Sequence, residues 1–318
     1  MNAAVVHKLG NAPRCDEFPE PVAGEGEIVV QVLAASLKPI DKQLADGSHY
    51  AAPRKLPFIC GTDGVGRLAD GQRVFFGGCR PPYGSMAQRT VVPKAFIFPV
   101  PAGLDDDLAA AIPNPGVSAW LSLTHRAKLA PGENVLILGA TGITGQLTVK
   151  IARLLGAGRV VAAGRNQQVL QSLLQNGADA IIRLDDPVDE VRKSFIKEAG
   201  ESGFQVVIDY VWGQPTETFL SAIAKESFAV VGTETRLVQA GESARSTISL
   251  PAAVLRSTAL TILGTAGIPP LDVLVDALQQ VMAYAADGKL QVPTTRVPLA
   301  SIESEWERQS PARIIIIP

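Results

Sequence analysis

Three glycines, at positions 139, 142 and 145, stand between an apolar run and a helical pattern, and no other stretch limits the fold of this chain as tightly. The run Val135 to Leu138 precedes them. Ile143, Leu147, Ile151 and Leu154/Leu155 follow at close to the 3.6-residue helical period, and a second apolar run, Val160 to Ala163, ends at Gly164. Strand, glycine turn, helix and strand within about 30 residues is the layout of a dinucleotide-binding βαβ unit. Gly139 permits the tight exit from the strand, Gly142 lets a pyrophosphate approach the backbone, and Gly145 lets the helix pack closely on the sheet. The helix N-terminus offers unpaired N–H groups and the positive end of its dipole to phosphate.

The end of the second strand bears on which dinucleotide is taken. An NAD site usually carries Asp or Glu there for the ribose 2′-hydroxyl. This chain reads Gly164-Arg165-Asn166, without a carboxylate. Arg165 is placed to pair with a 2′-phosphate, and the other reading is an ordinary solvated surface arginine. The expectation is NADP(H), with NADPH preferred over NADH.

At 318 residues the chain has room for two domains of ordinary size. Hydrophobic residues make up 47% and charged residues 19%, a balance that suits a packed core and excludes disorder. A net charge of −2 gives no electrostatic case for nucleic acid or for a membrane surface. No apolar run reaches the ~18 residues of a bilayer span. Residues 1–10 lack a targeting pattern and read as the start of a strand, so the expected location is cytoplasmic. Three cysteines and three histidines are scattered without metal-ligand spacing, which argues for free thiols and against zinc. Cys60 is a conceivable nucleophile, but a buried small apolar residue is the preferred reading.

Residues 1 to about 113 lean towards β structure, with strand candidates at 28–35, 73–76 and 88–92 separated by Gly-, Pro- and Asp-rich turns. A compact, irregular barrel is expected. Asp105, Asp106 and Asp107 read as a helix start, and residues 109–127 lead through a helix that is a plausible hinge. From residue 134 strands and helices alternate, which implies a parallel sheet. Helices are expected at 167–175, 188–199 and 271–286. Further strands are expected at 180–183, at 206–211, at 228–232 with its exit at Gly232-Thr233, and at 260–265 with its exit at Gly264-Thr265. The tail, 313–318, is expected to be a buried strand returning to the first domain.

With these motifs placed, the chain resembles the medium-chain dehydrogenase/reductase superfamily, and within it the zinc-free quinone oxidoreductase (ζ-crystallin-like) branch. Four stretches carry the resemblance: Ser36-Leu-Lys-Pro-Ile-Asp41, Leu56-Pro-Phe-Ile-Cys-Gly-Thr-Asp63, residues 109–120, and the Gly139–Gly145 turn. It covers nearly the whole chain. It implies an α/β protein with a GroES-like β-rich catalytic domain (1–115), a Rossmann doubly wound parallel-sheet cofactor domain (116–265), and a return to the catalytic domain (266–318). Zinc-dependent relatives have Cys where this chain has Lys38, His where it has Thr62, and Cys near Pro115, so no metal is expected. What remains is hydride transfer from NADPH to a small electrophilic acceptor, a quinone or an α,β-unsaturated carbonyl, with the protein mainly positioning nicotinamide C4 and excluding water.

By family position, Ser118, Thr141, Gly142, Ile143, Thr144, Gly164, Arg165, Gly232, Thr233, Gly264 and Thr265 line the cofactor, together with Gly139 and Gly145. The family's Asn in the Asn-Pro-x-Asp motif is Lys38 here. Lys38 either pairs with Asp41 to shape the loop, contacts the cofactor, or polarises the acceptor oxygen. A second phosphate contact three residues past Arg165 is Gln168 here, and Arg183 is the candidate substitute. Tyr50 sits where relatives carry a pocket tyrosine and is a candidate proton donor, with packing as the other reading. Tyr83 and His49 are weaker pocket candidates. Lys38, Asp41 and Tyr50 are the candidate catalytic residues.

Two rival readings stand beside this one. Extended short-chain dehydrogenases share the glycine turn, but theirs opens the chain and uses a Tyr-x-x-x-Lys pair that no tyrosine here provides. A non-catalytic NADPH-binding sensor or structural protein would have the same fold. The resemblance also implies a homodimer formed through the last cofactor-domain strand, 259–264.

Overall fold

The computed structural model describes residues 1–224, 232–265, 267 and 269–318. The chain forms two units, Met1–Asn114 with Met282–Pro318, and Pro115–Val281. The return to the first unit therefore begins at Met282, inside the helix Leu271–Ala286, and later than the residue 266 expected from the sequence.

In the first unit the strands are β1 (Asn2–Val6), β2 (Arg14–Glu17), β3 (Glu27–Ser36), β4 (Phe58–Ile59), β5 (Asp63–Arg67), β6 (Arg73–Gly77), β7 (Arg89–Pro93) and β8 (Ile97–Pro99). The three strands expected from residue pattern are β3, β6 and β7, and β1 is the strand expected at the start of the chain. Val30 and Val32 of β3 turn inward and join Phe58, Val74, Phe76, Val92, Ile314 and Ile316 in one core. Each such side chain contributes on the order of 1.5–3 kcal/mol through burial. Asp105 caps the helix Asp106–Ala111, accepting from the Leu108 N–H at 2.9 Å.

The second unit holds six strands, β9 (Asn134–Leu138), β10 (Arg159–Gly164), β11 (Ala180–Arg183), β12 (Val206–Asp209), β13 (Glu234–Gln239) and β14 (Ala259–Gly264). Back in the first unit, β15 (Thr294–Pro298) pairs parallel with β16 (Arg313–Ile317), and β16 pairs antiparallel with β3 through Ile315↔Ser36 and Ile316↔Ala35. The apolar tail is thus held in place by strands distant in sequence.

All six strands of the second unit are parallel, in the order β11-β10-β9-β12-β13-β14. The apolar runs of β9, β10 and β12 are buried on both faces, the pattern of a doubly wound sheet. The order reverses between β9 and β12, and in such sheets the ligand crevice lies outside the carboxyl ends of the strands at that switch. Among the described residues no helix is long and apolar enough to cross a membrane.

One expected strand exit needs correction. Residues 228–231 lie outside the described residues, and the strand beside β12 is β13, with Val206↔Arg236 and Asp209↔Gln239 in register. Gly232 and Thr233 therefore precede the strand and lie at the N-terminal edge of the sheet, where the Thr233 hydroxyl donates to the Ser202 carbonyl at 2.8 Å. The exit from this strand is Ala240-Gly241. Polar residues had disguised it. Arg236 is tolerated because its guanidinium donates to the Ala127 carbonyl at 2.7 Å and pairs with Glu133 at 2.5 Å, while the Thr235 hydroxyl donates to the Phe204 carbonyl at 2.9 Å.

Candidate functional site

The glycine turn leaves β9 at Gly139, whose φ of +86° is open to glycine at little cost. Gly142 is the N-cap of the helix Ile143–Leu154 and has an ordinary extended backbone, φ −73° and ψ 160°. A Cβ on Gly142 would meet only the Gly139 carbonyl oxygen, at 3.5 Å, so this face of the turn is open. A Cβ on Gly145 would lie 2.3 Å from that oxygen and 2.6 Å from Ala140 Cα, so the helix approaches the strand exit as closely as backbone allows. No acceptor within the described residues takes the N–H groups of Ile143, Thr144 or Gly145. Three free donors at a dipole's positive end, beside an uncrowded glycine face, fit a pyrophosphate.

Two cations flank this turn. Gly164, the last residue of β10, is in register with Arg183, the last residue of β11. Arg165 is exposed and has no hydrogen-bond or ion-pair partner among the described residues, while Arg183 lies 3.7 Å from Asp186. The Asn166 side chain caps the next helix through the Gln168 and Val169 N–H groups, both at 3.1 Å, which fixes the loop that carries Arg165. Gln168 is exposed at that helix start. The Thr141 methyl packs against Gly164, where a Cβ would come within 2.5 Å of it.

On the other side of the switch, β12 ends at buried Asp209, which accepts from the N–H groups of Val211 and Trp212, both at 2.9 Å, and from the Thr216 hydroxyl at 2.6 Å. Burial raises its pKa, and these three donors oppose the shift. The following Tyr210 hydroxyl is 2.7 Å from the Thr148 hydroxyl, tying this exit to the helix of the glycine turn. The Ala240 and Gly241 N–H groups donate back to the Asp209 carbonyl at 2.8 and 3.1 Å, which draws the β13 exit to the same edge. Sequence reasoning missed Ala240-Gly241, although a small-residue pair after Leu237-Val238 was its available signal. Gly264 ends β14, three strands from β9, with Thr265 just after it, and the Gly264 carbonyl accepts from Arg126 Nε at 2.6 Å. Ser118 lies partly buried on the helix Pro113–Leu121.

In the first unit, Lys38 and Asp41 come together as one reading of the motif required. The Lys38 N–H donates to Asp41 Oδ2 at 2.8 Å at the start of the helix Pro39–Asp46. Lys38 Nζ lies 3.2 Å from Asp41 Oδ2 and donates to the Ser36 carbonyl at 3.0 Å and to Asp63 Oδ1 at 3.2 Å. Burial alone would lower the Lys38 pKa, but the two carboxylates more than reverse this, so the ammonium stays charged. Asp63 also accepts from the Thr62 hydroxyl at 2.9 Å and from Asn114 Nδ2 at 3.1 Å. Asp63, Asn114 and Arg313 were not foreseen. The adjacency of Asp63 to Thr62 was the only sequence signal.

Tyr50 is 93% exposed and stacks on His49 with ring centroids 4.3 Å apart. His49 Nδ1 accepts the Ala51 N–H at 3.1 Å, which ties down the turn that carries both rings. Tyr83 instead donates to the Glu20 carbonyl at 3.3 Å and packs edge-on against Phe18.

Cys60 is buried within the first core, and burial holds its thiol well above the usual range. Burial likewise pushes Cys79 up to about 12. At pH ~8, about four units lower, only about one Cys79 thiol in 10,000 is ionised, and thiolate is the reactive form. A thiol reagent at pH ~8 is therefore expected to leave Cys60 and Cys79 unmodified until the fold opens, as peptide mapping would show. Rapid labelling of Cys60 in the native protein would restore the nucleophile reading.

Comparison with known proteins extends this geometry. Residues 144–281 match a family described as zinc-binding dehydrogenase, a segment that includes none of positions 38, 62 and 115. A quinone oxidoreductase of Lama guanicoe is 31% identical over 199 residues, covering 59% of this chain and 58% of the relative's length. A quinone oxidoreductase from Thermus thermophilus, solved alone and with NADPH, superposes with a TM-score of 0.80 at 29% identity, with both chains covered in full. A structure of an NAD-dependent alcohol dehydrogenase superposes with a TM-score of 0.83 at 24% identity, again over both whole chains, and shares the fold alone. With its parallel cofactor sheet and its β-rich first unit, the chain is similar to quinone oxidoreductases in fold along its whole length and in sequence over 59% of it.

Proposed function

We propose that the protein is an NADPH-dependent oxidoreductase that passes a hydride to a quinone or an α,β-unsaturated carbonyl without zinc. The observation that carries the cofactor choice is the edge of the parallel sheet. Free N–H groups at Ile143 to Gly145 face phosphate, and Arg165 with Arg183 stands where a carboxylate would select NAD. Arg165 and Arg183 hold the 2′-phosphate, the Gly139–Gly145 turn holds the pyrophosphate, and the β12 and β13 exits support the nicotinamide half. NADPH, when bound, supplies the hydride. The absence of zinc rests on Lys38 and Thr62 at two ligand positions, since an ammonium and a hydroxyl do not make the sulfur and nitrogen donor set that zinc requires. An acceptor that is already electrophilic needs no Lewis acid, so positioning and exclusion of water suffice.

The test is NADPH oxidation followed by absorbance with an ortho-naphthoquinone and with a simple alkenal, each with and without a metal chelator. Turnover that is indifferent to chelator and much slower with NADH is expected. Saturable NADPH binding without turnover on either acceptor would move the reading to a sensor. Chelator-sensitive alcohol oxidation would overturn it.

A further inference from the structure

The first unit contains four buried ionisable groups within one small volume, drawn from three distant parts of the chain. Lys38 is 2% exposed, Asp41 1%, Asp63 4% and Arg313 8%. Lys38 Nζ reaches both carboxylates at 3.2 Å, and Arg313 donates to the Leu37 carbonyl at 3.0 Å from the first residue of the last strand. Arg313 Nε is buried without a hydrogen-bond partner. A buried guanidinium with an unused donor is costly unless nearby charge holds it there. Burial lowers the Arg313 pKa, and the charges of Asp41 and Asp63 oppose that shift. Two cations balance two carboxylates, and the cluster as a whole is neutral.

The ammonium of Lys38 has three protons, yet its neighbours within 3.4 Å are two carboxylates, the Ser36 carbonyl and the Ser36 hydroxyl. All its donors are engaged inside the unit. Polarising an acceptor oxygen would require breaking one of these buried contacts, and releasing a proton would leave two carboxylates facing one cation. Both are expensive in a dry interior.

We infer that Asp63 and Arg313 complete, with Lys38 and Asp41, a charge-neutral quartet that positions the 36–41 loop, so that Lys38 is a positioning residue and neither a proton donor nor an electrophile. This rests on the reductase reading above, in which the 36–41 motif serves the hydride transfer. Arg313 brings the last strand into the same device. The loop keeps its shape only when the tail is docked on β3 and its guanidinium balances the second carboxylate.

The experiment compares Lys38→Met and Arg313→Met with the charge-balanced pairs Lys38→Met/Asp63→Asn and Arg313→Met/Asp63→Asn. Asp63 is the partner to neutralise because Asp41 also caps a helix, and Asn keeps one oxygen for Thr62 or Asn114. Each single variant buries an unbalanced charge and is expected to lower the thermal midpoint by about 8 °C or more, and kcat/KM by about tenfold or more. Each pair is expected to recover most of both, and the Lys38→Met/Asp63→Asn enzyme to keep the wild-type pH profile of kcat. Lys38→Arg, which retains the cation, is expected to retain the midpoint. The inference is overturned if the lysine pair is as stable as wild type yet as inactive as Lys38→Met, or if its pH profile loses a limb. It is equally overturned if the single variants melt with the wild type. Should the wild type reduce no acceptor, the midpoints of singles against pairs still decide the quartet, and the failure belongs to the reductase reading. If a single variant does not fold, recovery of a folded pair supports the quartet and an unfolded pair counts against it.

Discussion

A Gly145→Ala variant is expected to lose about 2–3 kcal/mol of stability and most of its affinity for NADPH. The added methyl would sit 2.3 Å from the Gly139 carbonyl oxygen and 2.6 Å from Ala140 Cα, and both neighbours are backbone with no rotamer to yield. The helix must therefore move off the strand exit, taking with it the N–H groups of Ile143 and Thr144. In a unit of this size the midpoint should fall by roughly 4–12 °C. Gly142→Ala is the informative contrast. Its Cβ meets one oxygen at ordinary contact distance, 3.5 Å, on a backbone any residue adopts. It should cost the unliganded protein within about 1 kcal/mol, the scale of an N-cap change. Its NADPH affinity should still fall about tenfold or more, because the methyl occupies the face that phosphate approaches. Thermal melts with and without NADPH separate the two variants. Equal loss of unliganded stability in both would show that Gly142 serves packing and not phosphate.

Replacing Arg165 by Ala is expected to cut the NADPH/NADH ratio of kcat/KM by about tenfold, with kcat on NADH nearly unchanged. A charge-assisted contact to a 2′-phosphate contributes about 1.5–3 kcal/mol, and solvent exposure puts Arg165 at the lower end. Arg183 supplies the second cation, though Asp186 at 3.7 Å shares it. The Arg165→Ala/Arg183→Ala enzyme should therefore lose further discrimination. In wild type the ratio should decline as salt rises, because exposed charges are screened. A ratio unmoved by Arg165→Ala would mean that this arginine is only solvated surface.

Much of this site was legible because its chemistry is local in sequence. A phosphate cradle at a helix N-terminus needs a strand, a turn and a helix in succession, so Gly139, Gly142, Gly145 and Arg165 fall within 27 consecutive residues. The βα alternation likewise fixes a parallel doubly wound sheet. The choice of strand in that sheet was harder. β13 carries polar residues at 234–236, and it pairs with β12 while Glu133 balances the charge of Arg236 and the Ala127 carbonyl accepts from it, both from outside the segment. Periodicity cannot report a compensating partner a hundred residues away.

The buried quartet marks the limit most clearly. The sequence put Lys38 and Asp41 at one helix start by spacing alone, because they stand three positions apart. It also determined that Arg313-Ile-Ile-Ile-Ile would be a buried strand, because nothing so apolar stays in water. The pairing of β16 with β3, across nearly the full length of the chain, is what buries Arg313 against the Leu37 carbonyl, beside the Lys38 and Asp41 helix start. The physical reason is that hydrophobic pattern specifies which face of a strand is buried, whereas a buried charge is tolerated only by whichever opposite charge the fold brings within a few ångströms.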